Sequence, residues 1–292
     1  MDTGRLDHWL AAYRRAWEEA GTPAVLGLFS EDATYRSHPL RPVHAGHDGI
    51  AGYWTQATAG QRDVRVRFGE PIAEGDRVAV EWWATMTADG DPVTLVGCLL
   101  LSFAADGRCR ALRECWHVAE EVLDPPAGWG RVEAPAEQRP PDPGAAGPAA
   151  DPPAADPGGG DLAREHARRW AEGYERAWRA ADPEAAAALY APATHYRSEP
   201  FREPDLGREG VLAYTRRAYA TEADQDPRFG TPVASGASAA VEWWCTTLEE
   251  GRPATLIGTS FLSFTPDGLV ATARDYWFLE PGTHQPFEGW GR

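Results

Sequence analysis

The run Val80-Glu81-Trp82-Trp83 sets a carboxylate between apolar and aromatic residues on an alternating strand. Side chains alternate faces along a strand, so Glu81 shares one face with Ala79, Trp83 and Thr85, while Val80, Trp82, Ala84 and Met86 share the other. A carboxylate there is costly unless it is paired or used. Inside a cavity Glu81 is a general base or substrate anchor, oriented by Arg36 or Arg113. Otherwise it is an ion pair that fixes the sheet. Glu114 is a second acid, beside Trp116, and an acid–base couple with Glu81 requires both to face the cavity. Strand parity groups Glu114 with Leu112 and Trp116, and Arg113 with Cys115 and His117. Arg113 and Glu114 therefore cannot both look inward without a bulge.

His38 and His117 are candidates for proton transfer, against the plainer reading of surface or core histidines. Tyr35 and Tyr53 offer phenolic donors to a ligand oxyanion, or serve as core aromatics with one hydrogen-bonded tip. Trp17, Trp83 and Trp116 line a pocket or fill a core. His38, His44 and His47 lie in a Pro-rich loop without an acidic or cysteine companion, so no metal site is expected.

These candidates occur twice. YRRAW around Trp17 returns 161 residues later as YERAW around Trp178, and the same offset carries YRSHPLR onto YRSEPFR, VEWW onto VEWW and GWGR onto GWGR. Roughly four in ten aligned positions are identical without a gap, which makes the chain a duplication. The second-copy candidates are Glu242 as base, with Trp178, Tyr196, Arg197, Tyr214, Trp244, Arg274 and Trp277 as binding residues. Asp275 stands where the first copy has Glu114. The copies diverge at their histidines: His38 becomes Glu199, His44 Asp205, His47 Arg208 and His117 Phe278.

The expected domains are residues 1–131 and 162–292, joined by 132–161, a Pro-, Ala-, Gly- and acid-rich segment with almost nothing to bury. A net charge of −16 argues against nucleic-acid or anionic-membrane partners. No stretch nears the ~18 apolar residues of a membrane span, and Cys98, Cys109, Cys115 and Cys245 read as reduced thiols. A cytoplasmic protein is expected.

Apolar residues Leu6, Trp9, Leu10, Tyr13, Ala16 and Trp17 recur at helical spacing, and Trp170, Tyr174 and Trp178 repeat the stripe. Thr22-Pro23 and Asp182-Pro183 place an N-cap before a helical proline, and Gly46 and Gly49 precede a third helix over residues 50–58. Strands follow over 64–68, 78–87, 93–103 and 110–118, with Asp-Gly turns that favour antiparallel hairpins. The predicted class is α+β: two tandem cone-shaped domains, each a curved antiparallel sheet wrapped around three N-terminal helices.

The element order, the run Leu28-Phe29…Glu31-Asp32-Ala33…Tyr35-Arg36, the Gly46…Gly49…Tyr53 spacing, VEWW and Arg113-Glu114…Trp116 resemble the SnoaL-like branch of the nuclear-transport-factor-2-like superfamily. The resemblance covers nearly all of both copies. It implies a conical barrel with an apolar-walled cavity, dimeric through the outer sheet face. The aspartate–tyrosine set of ketosteroid isomerases and the Asp-Arg-Asp set of limonene-type epoxide hydrolases have no residue-by-residue match here. No nucleotide, haem or flavin motif is present, so no cofactor is expected. The expected function is a small-molecule pocket protein, its halves docked as an intramolecular pseudo-dimer, taking a small apolar ligand with one or two polar groups. The alternatives are a cofactor-independent isomerase, cyclase or lyase acting by acid–base chemistry on a small apolar carbonyl compound, and an assembly module with a vestigial pocket.

Overall fold

The stripe of apolar residues at the N-terminus forms α1 (Thr3–Glu18), which buries Leu6, Trp9, Leu10, Tyr13 and Ala16. The computed structural model describes residues 3–131 and 159–292; most of the predicted linker, 132–158, lies outside the described residues. The first copy continues with α2 (Thr22–Leu26), β1 (Phe29–Arg36), β2 (His44–Ala45), α3 (Gly46–Thr58), β3 (Gln61–Phe68), β4 (Ile72–Glu74), β5 (Arg77–Ala88), β6 (Asp91–Phe103) and β7 (Cys109–Ala119). The second repeats it as α4 (Gly159–Arg179), α5 (Pro183–Ala187), β8 (Tyr190–Arg197), β9 (Asp205–Leu206), α6 (Gly207–Tyr219), β10 (Glu222–Phe229), β11 (Val233–Ser235), β12 (Ser238–Glu249), β13 (Arg252–Phe264) and β14 (Val270–Pro281).

Each copy builds one seven-stranded sheet, ordered β2-β1-β7-β6-β5-β3 and β9-β8-β14-β13-β12-β10, with β4 and β11 pairing β5 and β12. The long hairpins are antiparallel, as the Asp-Gly turns predict. One pair in each sheet is parallel: β1 with β7 and β8 with β14. The helices between β1 and the hairpins return the chain to the far edge, so the last strand meets the first running the same way.

Local chemistry explains several details. Asp182 caps α5 by accepting from the Ala185 N–H at 2.9 Å, whereas Thr22 lies inside α2 and makes no such bond. Gly46 opens α3 at φ 64°, where a Cβ would meet the Glu31 carbonyl oxygen at 3.2 Å. Gly97 on β6 lets the Trp82 ring cross beneath it; a Cβ would lie 2.9 Å from that ring and 2.3 Å from the Cys115 oxygen. Gly258 gives Trp243 the same passage.

In the first copy the inner sheet face, with Val78, Val80, Trp82, Ala84 and Met86, joins the helical aromatics in one core. The outer faces meet each other. Ile72, Ala79, Trp83, Val96, Cys98 and Cys115 share a buried cluster with Val233, Ala240, Phe261 and Tyr276 of the second copy.

Candidate functional site

Parity along β7 and β14 decides the geometry, because successive residues point to opposite sides of each sheet. Arg113 and Arg274 point outward, and Glu114 and Asp275 point inward.

On the outer side, Arg274 donates from Nε and Nη2 to the two Glu81 oxygens at 2.7 and 2.6 Å, and the Tyr276 hydroxyl adds a third bond at 2.7 Å. Arg113 grips Glu242 in the same two-pronged way, at 3.1 and 2.6 Å. Glu81 and Glu242, expected as bases inside the cones, thus lie on the outer faces and pair with an arginine of the opposite copy. The reason is that the aromatic-rich outer face is itself buried, so both faces of β5 look like core in sequence. The two expected histidines also leave the cavities. His38 Nε2 sits 3.0 Å from Glu280, while its Nδ1 accepts from the Leu40 N–H at 3.2 Å. His117 Nε2 accepts from the Trp277 N–H at 3.1 Å, and burial pushes its pKa down to about 4.

Other expected binding residues are displaced with them. Trp83 and Trp244 spend their indole N–H groups on the carbonyls of Leu123 and His284. Arg36 bonds the Arg41 carbonyl and covers the Phe287 ring at 4.0 Å, and Arg197 bonds the Arg202 carbonyl. An arginine on β1 or β8 follows the inward tyrosine and therefore points away from it.

Inside the first cone, a cavity of about 200 Å³ is walled by Trp17, Tyr35, Tyr53, Trp54, Trp82 and Trp116, with Glu114 among them. The Tyr35 and Tyr53 hydroxyls both donate to Glu114 Oε1 at 3.2 Å, and the Tyr13 hydroxyl lies 3.0 Å from that of Tyr35. Burial pushes the Glu114 pKa up to about 8, although both tyrosine hydrogen bonds pull it down. At neutral pH Glu114 is therefore a neutral acid.

The second cone encloses about 400 Å³, with Trp178, Tyr196, Tyr214 and Trp277 in its wall and Asp275 and Glu222 as its carboxylates below the lip. Its larger volume follows from substitutions at matching positions: Trp54 becomes Thr215, Glu114 becomes the shorter Asp275, and Leu99 becomes Ser260. Ser260 also accepts from Trp243 Nε1 at 3.1 Å, while Trp82 Nε1, facing the leucine version, has no hydrogen-bond partner among the described residues. The Tyr196 hydroxyl donates to Asp275 Oδ2 at 2.8 Å. Burial pushes Asp275 up to about 6, opposed by Ser260 and Tyr196, so it is ionised but unusually basic at neutral pH. Glu222 accepts from Trp178 Nε1 at 2.6 Å, and burial raises it to about 7. Among the described residues no group of three or more acidic, histidine or cysteine side chains is arranged to hold a metal.

Glu222 is absent from the candidates read from the sequence; it replaces Gln61 at the matching position. That exchange of a neutral for an acidic side chain was the available signal.

The SnoaL-like domain family matches residues 10–112 and 168–273. The chain belongs to the SnoaL-like family, with two copies of its domain. A search of curated proteins found no match. Among solved structures, the epoxide hydrolase/cyclase-like enzyme SalBIII, described in pyran ring formation of the polyether salinomycin, aligns at 21% identity and TM-score 0.37 over 41% of this chain and 98% of its own. A hypothetical protein from Catenulispora acidiphila DSM 44928 with a ketosteroid isomerase-like fold, in complex with trimethylamine, aligns at 22% identity and TM-score 0.34 over 36% and 82%. Among the described residues, no helix of this SnoaL-like chain is long and apolar enough to cross a membrane.

Proposed function

We propose that the chain is a small-molecule pocket protein whose halves dock as an intramolecular pseudo-dimer, and that its second cavity carries out cofactor-independent acid–base chemistry of the isomerase, cyclase or lyase kind. The observation that carries this reading is Asp275, a half-buried carboxylate lining an aromatic cavity of about 400 Å³ and held by the Tyr196 hydroxyl. With a pKa near 6 it is ionised at neutral pH yet more basic than an ordinary aspartate. It accepts a proton from carbon beside a substrate carbonyl and returns it to a second atom of the same molecule. Tyr214, in the same wall, is the donor available to an oxygen that gains charge as the proton leaves, while Tyr196 stays on Asp275. The aromatic wall supplies affinity for an apolar body, and the few polar groups set its orientation.

The first cavity supports a different reading. Glu114 is protonated at neutral pH and engaged by two tyrosines, so it donates a hydrogen bond rather than accepting a proton from carbon. That cone is a binder.

Exchange of α-hydrogen for deuterium, followed by proton NMR over a panel of small carbonyl compounds in deuterium oxide, tests the proposal without knowledge of the full reaction. The protein is expected to accelerate exchange for at least one compound, with Asp275→Asn abolishing the acceleration and Glu114→Gln leaving it. Acceleration that survives Asp275→Asn places the chemistry elsewhere.

A further inference from the structure

Glu222 is a half-buried acid that proton transfer at Asp275 does not use. It opens β10, and its carboxylate faces the second cavity, where the Trp178 indole holds one oxygen at 2.6 Å. Trp178 stands edge-on to Trp243 at 5.6 Å and to Tyr174 at 6.1 Å, and all three rings line the same cavity as the carboxylate. Tyr219 lines the same cavity, and its buried hydroxyl makes no hydrogen bond of ordinary geometry among the described residues. Glu249, opposite Glu222 in the β10–β12 ladder, adds a second negative charge at the lip. Two arginines also reach the lip. Arg202 pairs with Glu199, Arg217 with Asp205, and both are more than half exposed. Below the lip the cavity therefore holds two carboxylates, aromatic faces and no cation.

That combination is electrostatically incomplete. Aromatic faces carry negative potential and attract a desolvated cation, and a carboxylate among them adds to the attraction. A neutral ligand leaves Glu222 desolvated and without a counter-charge. We infer that the ligand of the second cavity carries an organic ammonium group, seated against Glu222 and the rings of Trp178, Tyr174 and Trp243. This rests on reading the second cavity as a ligand site, and not on the proton transfer assigned to Asp275. The substrate class is then an amine with an apolar body.

The first cavity provides the internal control. Gln61 replaces Glu222 there, and Trp17 Nε1 donates to Gln61 Oε1 at 2.9 Å, as Trp178 does to Glu222. Glu222→Gln therefore installs a side chain the fold already accommodates.

Calorimetric titration of the full chain with phenyltrimethylammonium and with its neutral carbon isostere, tert-butylbenzene, tests the inference. The pair differ in charge and hardly in shape, and the permanent charge excludes ligand protonation. At pH 8 the cation is expected to bind at least tenfold more tightly than the isostere. The preference should fall as pH drops from 8 to 5, because Glu222, near 7, and Asp275, near 6, take up protons there. Measured in two buffers of different ionisation heat at pH 7, cation binding should release protons. Glu222→Gln should remove most of the preference and leave the isostere unchanged, and Gln61→Glu should create a second cation site. Equal or tighter binding of the isostere at pH 8 overturns the inference, as does a preference indifferent to Glu222→Gln. Failure here with deuterium exchange still dependent on Asp275 removes the ammonium alone, whereas lost exchange with cation binding intact removes the proton transfer alone.

Discussion

Glu114 and Asp275 occupy equivalent positions and differ by one methylene, yet their surroundings place them on opposite sides of neutrality. Glu114 has its pKa raised from an ordinary 4.5 to about 8, so the folded state binds a proton that the unfolded chain releases between those values. Its contribution to stability is complete below about 4.5 and lost as pH rises through 8. Glu114→Gln is accordingly expected to match the wild type in thermal melts near pH 5 and to melt several degrees higher near pH 9. Equal pH dependence in both proteins would mean that the carboxyl is not held neutral. His117 works in the other direction. Its folded pKa of about 4 lies below the ordinary 6.5, so its stabilising hydrogen bond from the Trp277 N–H is present above 6.5 and lost as pH falls through 4. His117→Phe, the residue at the matching position 278, should flatten the melting temperature between pH 6.5 and 4.

At the scale of elements, the strands carry the logic. Alternation along β5 and β7 was legible in the sequence, including the rule that Arg113 and Glu114 face opposite ways. Which face looks inward was not, because Trp82 and Trp83 are both buried, one beneath the helices and one beneath the other copy. A strand covered on both sides loses the polar–apolar contrast that identifies the solvent face. Tyr35, Tyr53 and Trp17 were readable as cavity residues because β1, α3 and α1, which carry them, each have a single buried face. Glu222 stayed hidden, since an acid at the start of a strand ordinarily faces water. The crossed arginine–glutamate pairs give an element-scale expectation. Glu81→Gln should destabilise by about 3 kcal/mol, because it takes from the half-buried Arg274 the carboxylate that accepts from both its Nε and Nη2, leaving only the weaker pull of Glu70. Glu242→Gln should cost less: Glu81 also accepts from Tyr276, while Cys115 occupies the matching position opposite Glu242. Chemical denaturation of the two variants compares them, and a larger loss in Glu242→Gln would contradict this assignment.

At the scale of the whole molecule, duplication has allowed the two cones to separate in chemistry while the outer faces kept their shared pairing. One cone holds a neutral acid in a tight space, and the other holds an ionised base, a second carboxylate and twice the volume. The proposed docking of the halves ties the two together through β7 and β14, since Arg113 precedes Glu114 and Arg274 precedes Asp275. Small-angle scattering should report one particle for the two halves, and two separated beads would contradict the docking. The central claim is that the equivalent carboxyls differ in charge at neutral pH, and carbon-13 NMR of the full chain labelled at its aspartate and glutamate carboxyls measures it directly. Assigned through Glu114→Gln and Asp275→Asn, the Glu114 signal is predicted to titrate near 8 and the Asp275 signal near 6, leaving one protonated and the other ionised at pH 7. Both signals titrating together, or both in the ordinary carboxylate range, would contradict the account.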